Sequence, residues 1–94
     1  RMRSMEEIRS LYGLRFTVVD RPGVLAQIAG ELGRCGISIS SMVQQGRREG
    51  QTVPIVIKTH VAKERDVQTA LREINRKAFV SESPTLIRIE GKDE

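Results

Sequence analysis

The sequence predicts an α+β fold of ferredoxin-like type. Its order is βαββαβ, with two helices on one face of a four-stranded antiparallel sheet. Three observations carry this expectation. Four segments read as strands and two as helices, and each helix stands between strands. Gly- and Pro-containing breaks separate most of them. The 94-residue length suits one small domain, with no internal repeat or low-complexity run.

Residues 1–11 carry mixed charge and a short apolar set, Met5, Ile8 and Leu11, which fits a short helix or a linker. From Tyr12 the pattern changes. Leu14, Phe16 and Val18 alternate with Arg15, Thr17 and Val19, giving a strand with one apolar face. The stretch "VVDRPGVLAQIAGELGRCGISI" then passes from strand to helix through Asp20-Arg21-Pro22-Gly23. Pro22 suits a first helical turn, and Asp20 can cap the free N–H groups there. Val24, Leu25, Ile28, Ala29 and Leu32 form one buried stripe. Gly36 is the stop signal. Gly30 and Gly33 inside this helix each cost about 1 kcal/mol relative to Ala. They suit a place where another backbone approaches closely, whether a second helix or the sheet.

Residues 37–46 alternate again, with Ile37, Ile39, Ser41 and Val43 on one face and Ser38, Ser40, Met42 and Gln44 on the other. The glycine-bounded "GRREG" predicts a hairpin into a third strand, 52–60. Pro54 there implies a bulge or a position without a ladder bond. Residues 63–77 read as a weakly capped second helix with Val67, Ala70, Leu71 and Ile74 buried and Glu64 and Asp66 favouring its dipole. "SESP" reads as a connection, and Thr85–Glu90 as the last strand. The closing "GKDE" is expected to fray.

Composition narrows the function classes. An apolar fraction of 38% and a charged fraction of 30% suit a soluble globular domain. No apolar run spans a bilayer and no signal peptide is visible, so a cytoplasmic location is expected. The first residue is Arg, which suggests a piece of a longer chain. The single cysteine, Cys35, allows neither an intramolecular disulfide nor a Cys-based metal site, and reads as a packed thiol. His60, the one histidine, reads as structural. No nucleophile elbow, dinucleotide turn or Walker sequence is present, which argues against an enzyme acting alone. The net charge of +4 comes from twelve Arg and four Lys interleaved with acids, a pattern of solvated faces. RNA-recognition modules share this topology but stack bases on the open sheet face. Here the expected open face carries Arg15, Thr17, Val19, Lys58 and Arg88, and the aromatic residues are only Tyr12, Phe16 and Phe79.

The run Asp20-Arg21-Pro22-Gly23-Val24-Leu25 resembles the hallmark of ACT domains, small regulatory modules that bind amino acids. "YGLRFTVVDRPGVLAQIAGELGRCGISISSMVQQG", "VPIVIKTH" and "LIRIE" are further similar to the C-terminal ACT domain of bacterial homoserine dehydrogenases, and "MEEIRS" to the segment that joins it to the catalytic part. The match covers nearly the whole chain. It implies a linker over 1–11 from an upstream catalytic part and an ACT domain over 12–94. It also implies feedback sensing of L-threonine in aspartate-family amino-acid biosynthesis. Catalysis and the NAD(P) cofactor would belong to the absent part, leaving this chain without a cofactor.

The physical chemistry of the corner stands beside the resemblance. Gly23 lets a ligand approach the backbone. The N–H groups of Gly23, Val24 and Leu25 open a helix and attract a carboxylate, while Asp20 offers a partner for an ammonium. Equally, Asp20 simply caps the helix and Gly23 simply fits the turn. The family arrangement implies a homodimer through the sheet edge and the first helix, with the ligand between two chains. The start of the second strand, Ser38 and Ile39, would then face the partner's corner. The family often has Asn at the position of Ser38, whose hydroxyl reaches less far. Gln44 on the same strand face is a further ligand-binding candidate. Two alternatives remain: an ACT module that dimerises the enzyme without binding an effector, and a stand-alone ACT regulator for serine, valine or isoleucine.

Overall fold

The computed structural model describes residues 8–89. The expectations for Met5, for the first three residues of the "MEEIRS" segment and for the "GKDE" tail lie outside them. The elements are β1 (Arg9–Val19), α1 (Val24–Arg34), β2 (Ile39–Gln44), β3 (Thr52–Thr59), β4 (Ala62–Lys63), α2 (Glu64–Asn75) and β5 (Val80–Ile89). β1 pairs antiparallel with β3 on one side and β5 on the other, and β2 pairs with β3 at the edge. The sheet has five strands where four were expected. The extra one is two residues long and extends β3: Gly13 faces Lys58, and Ser10 faces Ala62 one residue out of step. The ferredoxin-like order survives because β4 adds length to β3 rather than a new position in the sheet.

β1 begins at Arg9, three residues ahead of the expected Tyr12, so part of the 1–11 segment belongs to the sheet. Tyr12, Leu14, Phe16 and Val18 alternate into the core, as the period of two requires. α1 lays Val24, Ile28 and Leu32 over them, and α2 adds Val67, Ala70 and Ile74. A Schellman turn ends α1, with Gly36 at φ 79° and the Ile37 N–H donating to Leu32 O at 2.9 Å. An added Cβ at Gly30 or Gly33 would meet nothing within 4 Å, so among the described residues no neighbour explains either glycine.

Two irregularities redirect side chains. A bulge between Ile39 and Ser41 changes the parity of β2. Met42 then lies opposite buried Ile57 and Gln44 opposite buried Ile55, on the helix side, while Ser41 and Val43 turn to the open face. The expected grouping of Ile39 with Ser41 and Val43 is therefore broken. "SESP" is strand rather than connection. The register of β5 on β1 shifts between Thr85 and Glu82, which places Pro84 in an irregular stretch where a missing N–H is tolerated. Arg88 pairs with Tyr12 on the helix side, not on the open face, and exposed Ile87 takes the outer position.

All three aromatic side chains are buried, so none is available for base stacking. Tyr12 is also tied to a charge. Its hydroxyl donates to Glu64 Oε1 at 2.6 Å, and Gln68 Nε2 donates to Glu64 Oε2 at 3.2 Å. Arg88 reaches the same carboxylate at 3.4 Å. The Tyr12 bond is the main reason the Glu64 carboxyl is held below its usual range, against the opposing effect of burial. Burial, then the Glu64 hydrogen bond, pushes Tyr12 up to about 12.

Tyr12 is the only tyrosine and the chain has no tryptophan, so its ionisation can be read directly. A folded pKa above the ordinary tyrosine value of about 10 means a contribution complete below the unfolded pKa and lost as pH rises toward 12. Tyrosinate absorbance of the native chain is expected to rise near pH 12, against about pH 10 in denaturant. Tyr12→Phe should cost about 1–2 kcal/mol in urea unfolding at neutral pH. A native midpoint at the denatured value would remove the Tyr12–Glu64 bond from the account.

Candidate functional site

The corner after β1 is built by one buried carboxylate. Asp20 donates its N–H to Gln51 O at 2.7 Å and accepts the Gly50 N–H at 3.0 Å. Its side chain, 7% exposed, accepts the Arg48 N–H at 2.6 Å and Arg47 Nε at 3.1 Å, both on Oδ2. These bonds hold the carboxyl below its ordinary range. The Arg48 N–H is the largest cause, and the Arg47 guanidinium adds to it while burial opposes. Main chain and side chain together staple the loop between β2 and β3 to the end of β1.

This overturns the capping role expected of Asp20. The N-cap of α1 is Gly23, at φ 89°, with no side-chain cap bond, and the helix starts at Val24. Asp20 lies three residues before that cap, and its oxygen is spent on the loop. Pro22 accordingly sits in the turn before the helix instead of its first turn. The left-handed φ of Gly23 is the reason that position favours glycine. Gly23 O accepts the Gln27 N–H, and the Val24 N–H makes a long contact of 3.4 Å with Arg21 O. Among the described residues, the N–H groups of Gly23, Leu25 and Ala26 have no backbone acceptor, as the opening of a helix leaves them.

These groups surround a cavity of about 280 Å³. Its polar lining is Asp20, Arg21, Gln44 and Arg47; Gly23, Val24 and Leu25 border it at the head of α1, and Val18, Val53 and Ile55 form an apolar wall. Gln44 reaches it because the β2 bulge turns that residue to the helix side. Its Nε2 donates to Gly46 O at 2.8 Å, and its amide also favours the charged form of Asp20. Both neighbours are acceptors, which fixes the amide NH2 toward them and leaves Oε1 as a free acceptor.

Five of the seven site residues expected from the sequence thus share one cavity: Asp20, Gly23, Val24, Leu25 and Gln44. Ser38 and Ile39 do not line it. Ser38 is exposed and accepts the His60 N–H on its carbonyl at 2.9 Å, and Ile39 packs half-buried opposite Thr59. They lie at the other end of β2, about 20 Å from Gln44 along an extended chain. Arg47 was read as part of a solvated turn, and its place in the lining comes from a contact 27 residues away in sequence. No local pattern signals such a pairing. His60 is exposed just past β3. Cys35 is half-buried at the end of α1, where burial raises its thiol pKa. Among the described residues, no group of three His, Cys, Asp or Glu gathers as a metal site, and no helix is long and apolar enough to cross a membrane.

The ACT domain family model matches residues 12–79. Homoserine dehydrogenase of Neisseria gonorrhoeae is 38% identical over 87 residues, which is 93% of this chain and 20% of that protein. Homoserine dehydrogenase of Methylobacillus glycogenes is 40% identical over 85 residues, 89% of this chain and 21% of that one. The crystal structure of a homoserine dehydrogenase from Thiobacillus denitrificans superposes with a TM-score of 0.82 at 38% identity. It covers 92% of this chain and 19% of that one. The chain therefore spans about a fifth of the length of the relatives it matches.

Asp20→Ala should release the loop without removing the core. Amide hydrogen exchange at Arg48, Gly50 and Gln51 is expected to quicken, while Ile55 and Ile57 in β3 keep their protection. Unchanged exchange at Arg48 would show that the carboxylate does not hold the loop.

Proposed function

The chain belongs to the ACT domain family, and from that premise we propose that it is the amino-acid-sensing module of a homoserine dehydrogenase, responding to L-threonine. The observation that carries the reading is the single cavity shared by unpaired helix N–H groups, a buried carboxylate and an apolar wall. An α-amino acid needs a donor set for its carboxylate, an anion for its ammonium and room for its side chain. The N–H groups of Gly23 and Leu25 take the carboxylate and Asp20 takes the ammonium. A volume of about 280 Å³ is at the small end of ligand sites, right for a single amino acid.

Threonine and valine have nearly the same shape, so a hydroxyl partner decides between them. Gln44 is the one uncharged polar side chain in the lining, and its free Oε1 can accept that hydroxyl. A site built to bond a hydroxyl penalises the analogue without one. Threonine would act as a feedback signal of aspartate-family biosynthesis, while catalysis and the NAD(P) cofactor reside in a part of the enzyme outside this chain.

The functional unit in this reading is a homodimer. Among the described residues β2 pairs only with β3, which leaves its outer edge open, and Val43 on it is 53% exposed. An unpaired edge of this kind favours addition of another strand. A second copy there covers the edge and brings its own Ser38 and Ile39 toward the corner, and Gly30 and Gly33 leave the outer surface of α1 open to it. On this reading Val43→Lys shifts the chain toward monomer in sedimentation, and an unchanged dimer would move the contact elsewhere.

L-Threonine at 100 times its Kd is expected to stabilise the chain by about 2.7 kcal/mol, raising Tm by roughly 10–20 °C. Gln44→Leu should weaken threonine about tenfold while leaving valine within about threefold. Gln44 is a cleaner probe than Gly23, whose φ of 89° strains any other residue. No thermal shift with threonine, serine, valine or isoleucine would leave dimerisation without effector binding as the function.

A further inference from the structure

Two cations border the cavity, Arg21 and Arg47, and neither has a task in the reading above. Arg47 lines the pocket beside Asp20. Its guanidinium meets Asp20 through Nε alone, at 3.1 Å, and the side chain is 70% exposed. Among the described residues its two Nη groups make no hydrogen bond. They form the fork that matches a carboxylate with two parallel bonds. Asp20 is engaged in a complementary way. Both loop contacts fall on Oδ2, and Oδ1 takes part in neither.

We propose that Arg47 is a ligand-binding residue of this pocket, its Nη edge joining the N–H groups of Gly23 and Leu25 on the carboxylate of an α-amino acid while Asp20 Oδ1 takes the ammonium. The inference rests on the amino-acid-binding reading and specifies how it works. An α-amino acid carries opposite charges on neighbouring atoms of one small unit, and the Asp20–Arg47 pair presents opposite charges 3.1 Å apart. The helix N–H groups supply only partial positive charge, so Arg47 is the one full cation in the lining aligned with an anion partner. Arg21, the other cation bordering the cavity, has no ion pair among the described residues. A ligand lacking either charge meets half of the complement.

A second consequence concerns the loop. Arg47 and Arg48 belong to the segment stapled by Asp20, so a ligand bridging Asp20 and Arg47 bonds to the loop and to the end of β1 together. Binding then tightens the junction between β2 and β3, next to the open edge of β2.

The test compares L-threonine with L-threonine amide, which keeps the ammonium and side chain and removes the negative charge. In calorimetry, the wild-type chain is expected to prefer the acid by at least about tenfold. Arg47→Met should weaken the acid by about tenfold or more, change the amide by less than about threefold, and so erase the preference; Arg47→Lys should restore part of it. If Arg47→Met weakens acid and amide equally, Arg47 only shapes the loop and the inference is overturned. A wild-type chain that binds both equally overturns it too, while the sensing reading stands. A wild-type chain that binds neither removes the sensing reading, and this inference with it.

Discussion

Everything in this fold is arranged against the apolar face of β1. Tyr12, Leu14, Phe16 and Val18 are all buried, and both helices, both flanking strands and the corner after β1 are positioned by that row. A domain of this size buries a modest fraction of its surface, so one continuous wall of large side chains supplies much of the hydrophobic stabilisation. The row also sets direction. Its last core member, Val18, borders the cavity, and the next inward position after it is Asp20. The alternation that builds the core therefore delivers a carboxylate to an inward position.

An inward carboxylate has to be satisfied, and how it is satisfied makes the site. A buried, unpaired charge is costly, so Asp20 draws in the Arg48 N–H and the Arg47 guanidinium from the β2–β3 loop. The same act closes the cavity on the side opposite the head of α1. Glu64 is handled by a parallel solution at the far end of β1, with Tyr12, Gln68 and Arg88 around it. Glu31 on α1 is a third case, bridged to Arg34 at 2.7 Å and to Lys77 at 3.1 Å, the latter contact tying α1 to the end of α2. Each buried acid thus links two segments distant in sequence or one turn apart.

The edges of the sheet differ from its centre in a way that matters for function. β1 and β3 are covered by helices and flanked by strands, whereas β2 is exposed along most of its length. Its bulge turns Gln44 toward the pocket and Val43 away from it. One irregularity thereby ties the polar lining of the site to the strand offered for pairing, which is how occupancy of the pocket and association of two chains can share a single element.

Much of this was legible in the sequence because it depends on local periodicity. The alternation of β1, the stripe of α2, the stop at Gly36 and the glycine-bounded hairpin are each set by neighbours a few residues apart and appear as read, and the stripe of α1 does so at Val24, Ile28 and Leu32, with Leu25 and Ala29 only half-buried. The corner motif likewise located the head of the helix and four of the candidate residues that line the cavity. What the sequence did not carry was the outcome of competition among distant partners. Asp20 had a local use as a helix cap, and the loop 27 residues away claimed its Oδ2 instead. The face of Gln44 depended on a bulge that no composition signals, and the inward turn of Arg88 on its pairing with Tyr12. Periodicity along the chain decides which face of an element is apolar; only packing decides which distant polar groups meet a buried charge, because that choice is made by whichever donor the fold brings within hydrogen-bond reach.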